Sequence, residues 1–222
     1  MIEGIIFDLD GVLIHTDEYH FSAWSRIAAE LGIPFDRAVN ERLRGVGRRD
    51  SLEILLERYD GAPLSEEDRQ ALCDRKNSLY RSYLTALTPS DIPDETRRVL
   101  HTLHERGLKI AVGSSSRSAR LILQKIELMP AFDAVADGGD APRSKPAPDV
   151  FLRAAQMLGL DPAVCAVVED APAGIEAARA AGMYAVGLGS PARFAETQPD
   201  HVVPSLFDLL SLPVFASVCP AD

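Results

Sequence analysis

The chain opens with an apolar run, residues 2–9, that reads as a buried strand. A polar-rich block follows in which apolar positions recur at helical spacing. Trp24, Ile27, Ala28 and Leu31 follow the i, i+3, i+4, i+7 pattern, and Gly32 closes that helix. Leu52, Leu55, Leu56 and Tyr59 repeat the pattern. Ser65-Glu66-Glu67-Asp68 reads as a helix start, with Leu72, Leu79, Tyr80, Tyr83, Leu84 and Leu87 on the face behind it. The stretch 88–93, with two prolines, reads as a linker.

From there strands and helices alternate. Helices are predicted at 95–106, 117–128, 148–159 and 174–182. Between them lie apolar strands at 108–115, 132–137, 165–170 and 184–189, and "HVVP" (201–204) suits a last edge strand. Such alternation demands crossover connections and a parallel sheet covered on both faces. The expected fold is α/β: a doubly wound, Rossmann-like core formed by 1–14 and 94–222, with an all-helical cap, 15–93, inserted after the first strand.

Composition narrows the function. An apolar fraction of 46% in 222 residues suffices for a real core, and the net charge of −10 argues against nucleic-acid or anionic-membrane partners. Cys73, Cys165 and Cys219 are too scattered for a zinc site or a disulfide framework. The first residues lack a signal-peptide pattern, and there is no apolar run of about 18 or more residues. A cytoplasmic protein is expected, with nothing demanding more than a monomer.

Polar residues end three of the strands. These are Asp8-Leu9-Asp10, Ser114-Ser115-Ser116 and Glu169-Asp170. Each has a bland reading: Asp10-Gly11 as a turn, Ser116 as a helix N-cap, Asp170 as a cap for a helix with Pro172 in its first turn. In open parallel sheets, however, ligands bind beyond the carboxyl ends of the strands, so these groups should converge on one crevice. Several carboxylates there repel one another and call for a cation, and an all-oxygen set suits Mg²⁺. Lys145 adds a fixed charge, and Ser114 with the helix behind it forms an anion site. The combination suggests phosphoryl transfer, with Asp8 as nucleophile and Asp10 moving the proton.

"FDLDGVL" (7–13), Ser114, "KPAPDVF" (145–151) and "VVEDAPAGI" (167–175) resemble, in order and spacing, the four motifs of the haloacid dehalogenase-like phosphotransferases. The cap stretches "DEYHFSAW", "ERLRGVGRRDSL" and "RKNSLY", with "GSSSRSA" in the core, resemble the β-phosphoglucomutase family. That resemblance implies interconversion of β-glucose 1-phosphate and glucose 6-phosphate through a 1,6-bisphosphate, with a phosphorylated sugar as substrate. A sugar-phosphate phosphatase using the same phospho-aspartate is the alternative.

By the same resemblance, Asp8 is the phosphorylated nucleophile and Asp10 the general acid and base. Asp8, Asp10 through its carbonyl, Glu169 and Asp170 surround Mg²⁺. Ser114 and Lys145 hold the transferring phosphoryl group. Thr16 and His20 steer Asp10 at the hinge. Arg48 from the cap, and Ser116, Arg117 and Ser118 from the core, grip the second phosphate. Lys76 reaches the sugar hydroxyls, and Trp24, Gly45 and Val46 belong to the sugar pocket. His20, Arg48 and Lys76 also fit a solvated surface, and Trp24 fits the cap core. Three departures stand out: Arg117-Ser118 where the family usually has Lys-Asn, Ala171 where a hydroxyl is usual, and Gly47 where serine is usual.

Overall fold

The computed structural model describes residues 1–216. Cys219 lies outside the described residues. Strand β1 (Gly4–Phe7) is followed by four helices: α1 (Asp17–Glu30), α2 (Arg37–Glu41), α3 (Arg48–Leu56) and α4 (Glu66–Tyr83). The alternating half then runs α5 (Asp94–Glu105), β2 (Lys109–Gly113), α6 (Ala119–Lys125), β3 (Ala134–Ala136), α7 (Asp149–Leu158), β4 (Cys165–Glu169), α8 (Pro172–Ala180), β5 (Tyr184–Leu188) and β6 (His201–Val203).

The six strands form one sheet in the order β3-β2-β1-β4-β5-β6, and every pairing is parallel. This is the doubly wound order, and the strand order reverses between β1 and β4. Because side chains alternate across a strand, the sheet feeds two cores. Ile5, Phe7, Ile110, Val112, Ala166 and Val168 pack on one face with α5 and α6. Ile6, Ala111, Val167 and Ala185 pack on the other with α7 and α8. A third cluster, around Trp24, Ile27, Leu52 and Leu55, belongs to the inserted helices.

The sequence cues work where local chemistry is strong. Ser65 and Asp68 form a reciprocal capping box at the start of α4. Gly32, at φ +69°, follows α1, and Gly107, at φ +82°, follows α5. Elsewhere the elements are shorter than expected. The ladder of β1 stops at Phe7 because the chain turns at once: Gly11 N–H donates to Ile14 carbonyl at 2.7 Å. Helix α6 begins at Ala119, not 117, and its N-cap position is Ser118 rather than Ser116. The backbone N–H groups of Ser116 and Ser118 donate to the Ser114 and Ser116 hydroxyls, which holds 114–118 as a loop. Ala171, not Asp170, occupies the N-cap position of α8, which leaves the Asp170 carboxylate for the crevice. The linker at 88–93 contains a short 3₁₀ turn, Pro89–Asp91, tied by Thr88 and Asp91. Helix α2 has no counterpart among the predicted elements; Asp36 caps it, accepting from Val39 N–H at 2.8 Å.

Candidate active site

A cavity of about 910 Å³ separates the inserted helices from the carboxyl edge of the sheet. Asp8 and Asp10 follow β1, Ser114 follows β2, and Asp170 follows β4, so the switch point supplies the floor. His20, Trp24, Arg48 and Lys76 face them from α1, α3 and α4. The structure therefore brings together groups about 160 residues apart in sequence.

Lys145 is completely buried, at 0% exposure, and its Nζ donates to Asp8 Oδ1 at 2.6 Å and to Glu169 Oε1 at 2.5 Å. Burial pulls the ammonium toward neutrality, but the two carboxylates outweigh it and hold it charged. Glu169 also accepts from Ala171 N–H at 3.0 Å. Burial pushes its carboxyl up, and Lys145 opposes that shift. One carboxylate oxygen from each of Asp8, Glu169 and Asp170 lies within 4.8 Å of the others. A set of hard anionic oxygens this close fits a divalent cation. The crowding also shows in Asp170, pushed up to about 6 by burial, with Asp8 and Asp17 adding to the shift against the pull of Arg44.

Asp10 stands at the boundary with the inserted helices. Burial and the charge of Asp8 push it up to about 7, against a hydrogen bond donated by the Thr16 hydroxyl. Thr16 is itself fully buried, and its hydroxyl lies 3.2 Å from that of Tyr80. His20 Nε2 sits 3.9 Å from Asp10 Oδ2, and His20 Nδ1 sits 2.8 Å from Lys76 Nζ. Burial first, then the charges of Lys76 and Arg48, drives His20 well below its ordinary value. A neutral His20 that accepts from the Lys76 ammonium carries its proton on Nε2, facing Asp10. Burial and then Arg48 lower Lys76 to about 7.

The remaining expected residues fall in three groups. Gly45, Val46, Arg48, Ser114, Ser116 and Arg117 line the cavity. Arg48 reaches the Cys73 carbonyl at 3.3 Å, and Arg117 Nε donates to the Gly138 carbonyl at 3.2 Å. Trp24 touches the cavity but is 2% exposed and packs in the inserted helices' own core. Ser118, also 2% exposed, does not line the cavity.

Sequence reasoning missed Arg44 and Arg193. Arg44 Nη2 is hydrogen-bonded to Asp170 Oδ2 and lies 2.9 Å from Asp17 Oδ2. Arg193 Nη1 donates to the Asp170 carbonyl at 3.2 Å, and its Nε is 3.7 Å from Glu41. Arg44 immediately precedes Gly45-Val46 in "ERLRGVGRRDSL", one of the stretches that carry the cap resemblance, whereas Arg193 lies in no such motif. The inserted block docks on the core at two further points. Ser115 Oγ donates to the Gly45 carbonyl at 3.1 Å, and Ser144 Oγ donates to Asp50.

Residues 2–182 match the model of the haloacid dehalogenase-like hydrolases. The chain belongs to that family. It is 45% identical over 190 residues to the β-phosphoglucomutase of Bacillus subtilis, covering 85% of this chain and 84% of the relative. It is 35% identical over 187 residues to a fructose-1-phosphate phosphatase of Escherichia coli, covering 83% and 95%. Among solved structures it is similar to the β-phosphoglucomutase of Clostridium difficile, with a TM-score of 0.87, 35% identity, and 94% and 93% of the two chains covered. No helix among the described residues is long and apolar enough to cross a membrane.

Proposed function

We propose that the protein is a Mg²⁺-dependent β-phosphoglucomutase of the cytoplasm that acts as a monomer, with a core of 1–14 and 94–222 and a cap of 15–93. The observation that carries this reading is the buried Lys145–Asp8 contact at 2.6 Å, beside a second carboxyl, Asp10, pushed up to about 7. A nucleophile held by a fixed cation and an acid that titrates near neutrality are what phosphoryl transfer requires.

Asp8, phosphorylated, is the donor. Asp10 takes the proton from the 6-hydroxyl of β-glucose 1-phosphate as that oxygen bonds to phosphorus and the Asp8 oxygen leaves. The resulting 1,6-bisphosphate turns over in the cavity. Asp8 then takes the 1-phosphoryl group, and Asp10 returns its proton to the departing oxygen, which gives glucose 6-phosphate. Lys145 and Ser114 hold the transferring group. Asp8, Asp170, the Asp10 carbonyl and Glu169 would hold Mg²⁺, which supplies charge neutralisation on that group. Arg48, with Ser116 and Arg117, grips the second phosphate, Ser118 being buried behind them, and His20 and Lys76 align Asp10 as the cap closes over the sugar.

A sugar-phosphate phosphatase is the second reading, favoured by the similarity to the Escherichia coli enzyme. The deciding experiment supplies Mg²⁺, β-glucose 1-phosphate and a trace of glucose bisphosphate, and follows glucose 6-phosphate and free phosphate together. Glucose 6-phosphate with little free phosphate is the expected result. Free phosphate alone would establish the phosphatase.

A further inference from the structure

We propose that Arg44 is a positioning residue that competes with the divalent cation for Asp170, so that ion binding and docking of the cap loop at Asp170 are antagonistic. The proposal rests on the reading of Asp8 and Asp170 as metal ligands. Three observations carry it. First, the charges around the acidic cluster are unevenly shared: Lys145 serves Asp8 and Glu169, while the Asp170 side chain takes its hydrogen bond from Arg44. Second, Arg44 comes from the loop between α2 and α3, and so does the Gly45 carbonyl that Ser115 holds. A contact on a core carboxylate is thus also a cap contact. Third, the docked guanidinium is incompletely satisfied. Its Nε is buried without an acceptor, while Asp17 at 2.9 Å and Glu41 at 3.7 Å offer it anchors on its own side of the cavity. A buried unpaired donor is costly, so this position is one that a cation can displace.

Gly11 makes the contact possible. At φ +86°, a Cβ there would overlap the Asp170 carboxyl and meet Arg44 Nη2 at 3.0 Å. Arg193 stays on the core side, hydrogen-bonded to the Asp170 carbonyl with its Nη1 3.8 Å from Asp170 Oδ2, and is not displaced in this scheme. A divalent ion and a hydrogen-bonded guanidinium repel on one carboxylate oxygen in a partly buried site, so Arg44 gives up Asp170 when the ion arrives and keeps the contacts it already makes to Asp17 and Glu41.

The test is Mg²⁺ binding to the full chain by calorimetry, without substrate. Arg44→Met and Arg44→Gln are expected to bind Mg²⁺ at least about tenfold more tightly than the wild type, from loss of a competing charge a few ångströms away. Arg44→Lys, which keeps the charge, should stay near the wild-type Kd. An unchanged or weaker affinity in both neutral variants overturns the proposal and leaves the metal reading standing. Asp170→Asn separates the two: if the wild type shows no Mg²⁺ binding that this variant removes, the metal reading falls and the proposal with it.

Discussion

Lys76 Nζ lies 2.8 Å from His20 Nδ1, with the Tyr80 ring 4.8 Å and the Trp24 ring 5.2 Å from the same ammonium. A cation 4% exposed and with no carboxylate in hydrogen-bond reach is an unusual thing to bury. Its lowered pKa, about 7 against an ordinary 10.5, measures the cost, and Arg48 adds to it.

Lys76→Met is therefore expected to stabilise the fold while crippling sugar-phosphate turnover. Between about pH 7 and 10.5 the unfolded chain holds the Lys76 proton and the folded chain does not, so wild-type stability from this group rises with pH. Below about pH 7 both states are charged and the full penalty applies. The advantage of the methionine variant should thus be largest in acid and shrink as pH rises. Urea unfolding of both proteins at about pH 6 and about pH 9 checks it. A constant difference would mean that Lys76 is not strained by burial.

Arg48 separates binding from chemistry. Its side chain lies across the cavity from the core, near Arg117, whose charge, after burial, lowers it. It touches none of Asp8, Asp10 or Lys145. Arg48→Ala should lower kcat/KM for β-glucose 1-phosphate about 100-fold, the loss of a charge-assisted phosphate contact, and change hydrolysis of a small acyl phosphate little. Equal losses on both substrates would remove Arg48 from the phosphate grip.

How far the site was legible depends on which force placed each residue. Asp8, Ser114 and Glu169 follow directly from apolar strands, because a parallel sheet forces strand ends to one edge. Periodicity shows Lys145 only as a charge in a loop, its role coming from the resemblance of "KPAPDVF", and its burial depends on carboxylates from two other strands. Arg44 sits on the short helix–loop segment that periodicity could not resolve, α2 having only five residues. Its partner Asp170 is 126 residues away, and no local pattern encodes a contact of that kind. The start of α6 differs from the expected one for a local reason: the Ser114 and Ser116 hydroxyls accept from the backbone N–H groups two residues on before the helix can begin.

Gly174, in the first turn of α8, is fixed by Glu169. A Cβ at 174 would overlap the Glu169 carboxyl, which is pinned by Lys145 and Ala171 N–H and has no room to yield. Helix propensity alone favours alanine there by about 1 kcal/mol. Gly174→Ala should nevertheless destabilise, by about 1–3 kcal/mol, as overpacking does. It should also depress activity, because the displaced Glu169 unseats Lys145 from Asp8. Thermal unfolding and turnover measured together decide it; a stabilised, fully active variant would show that Glu169 is free to move.

Lys145→Met tests the charge balance of the whole floor. The substitution leaves Asp8 and Glu169 buried without their shared cation, and breaking such a pair costs about 3–5 kcal/mol. The sign of its pH dependence follows from Glu169. Burial already raises that carboxyl, and Lys145 pulls it back, so removing the lysine raises it further. Between 4.5 and about 8, its value in the wild type, both folded proteins hold a proton that the unfolded chain has released, so the loss is the same across that range. Above about 8 the folded wild type releases that proton and the folded variant keeps it, so the variant's stability should worsen relative to the wild type as pH rises. Denaturant unfolding at about pH 7 and about pH 9.5 is the measurement. A loss that is the same at both would mean that Lys145 does not set the Glu169 carboxyl and serves Asp8 alone.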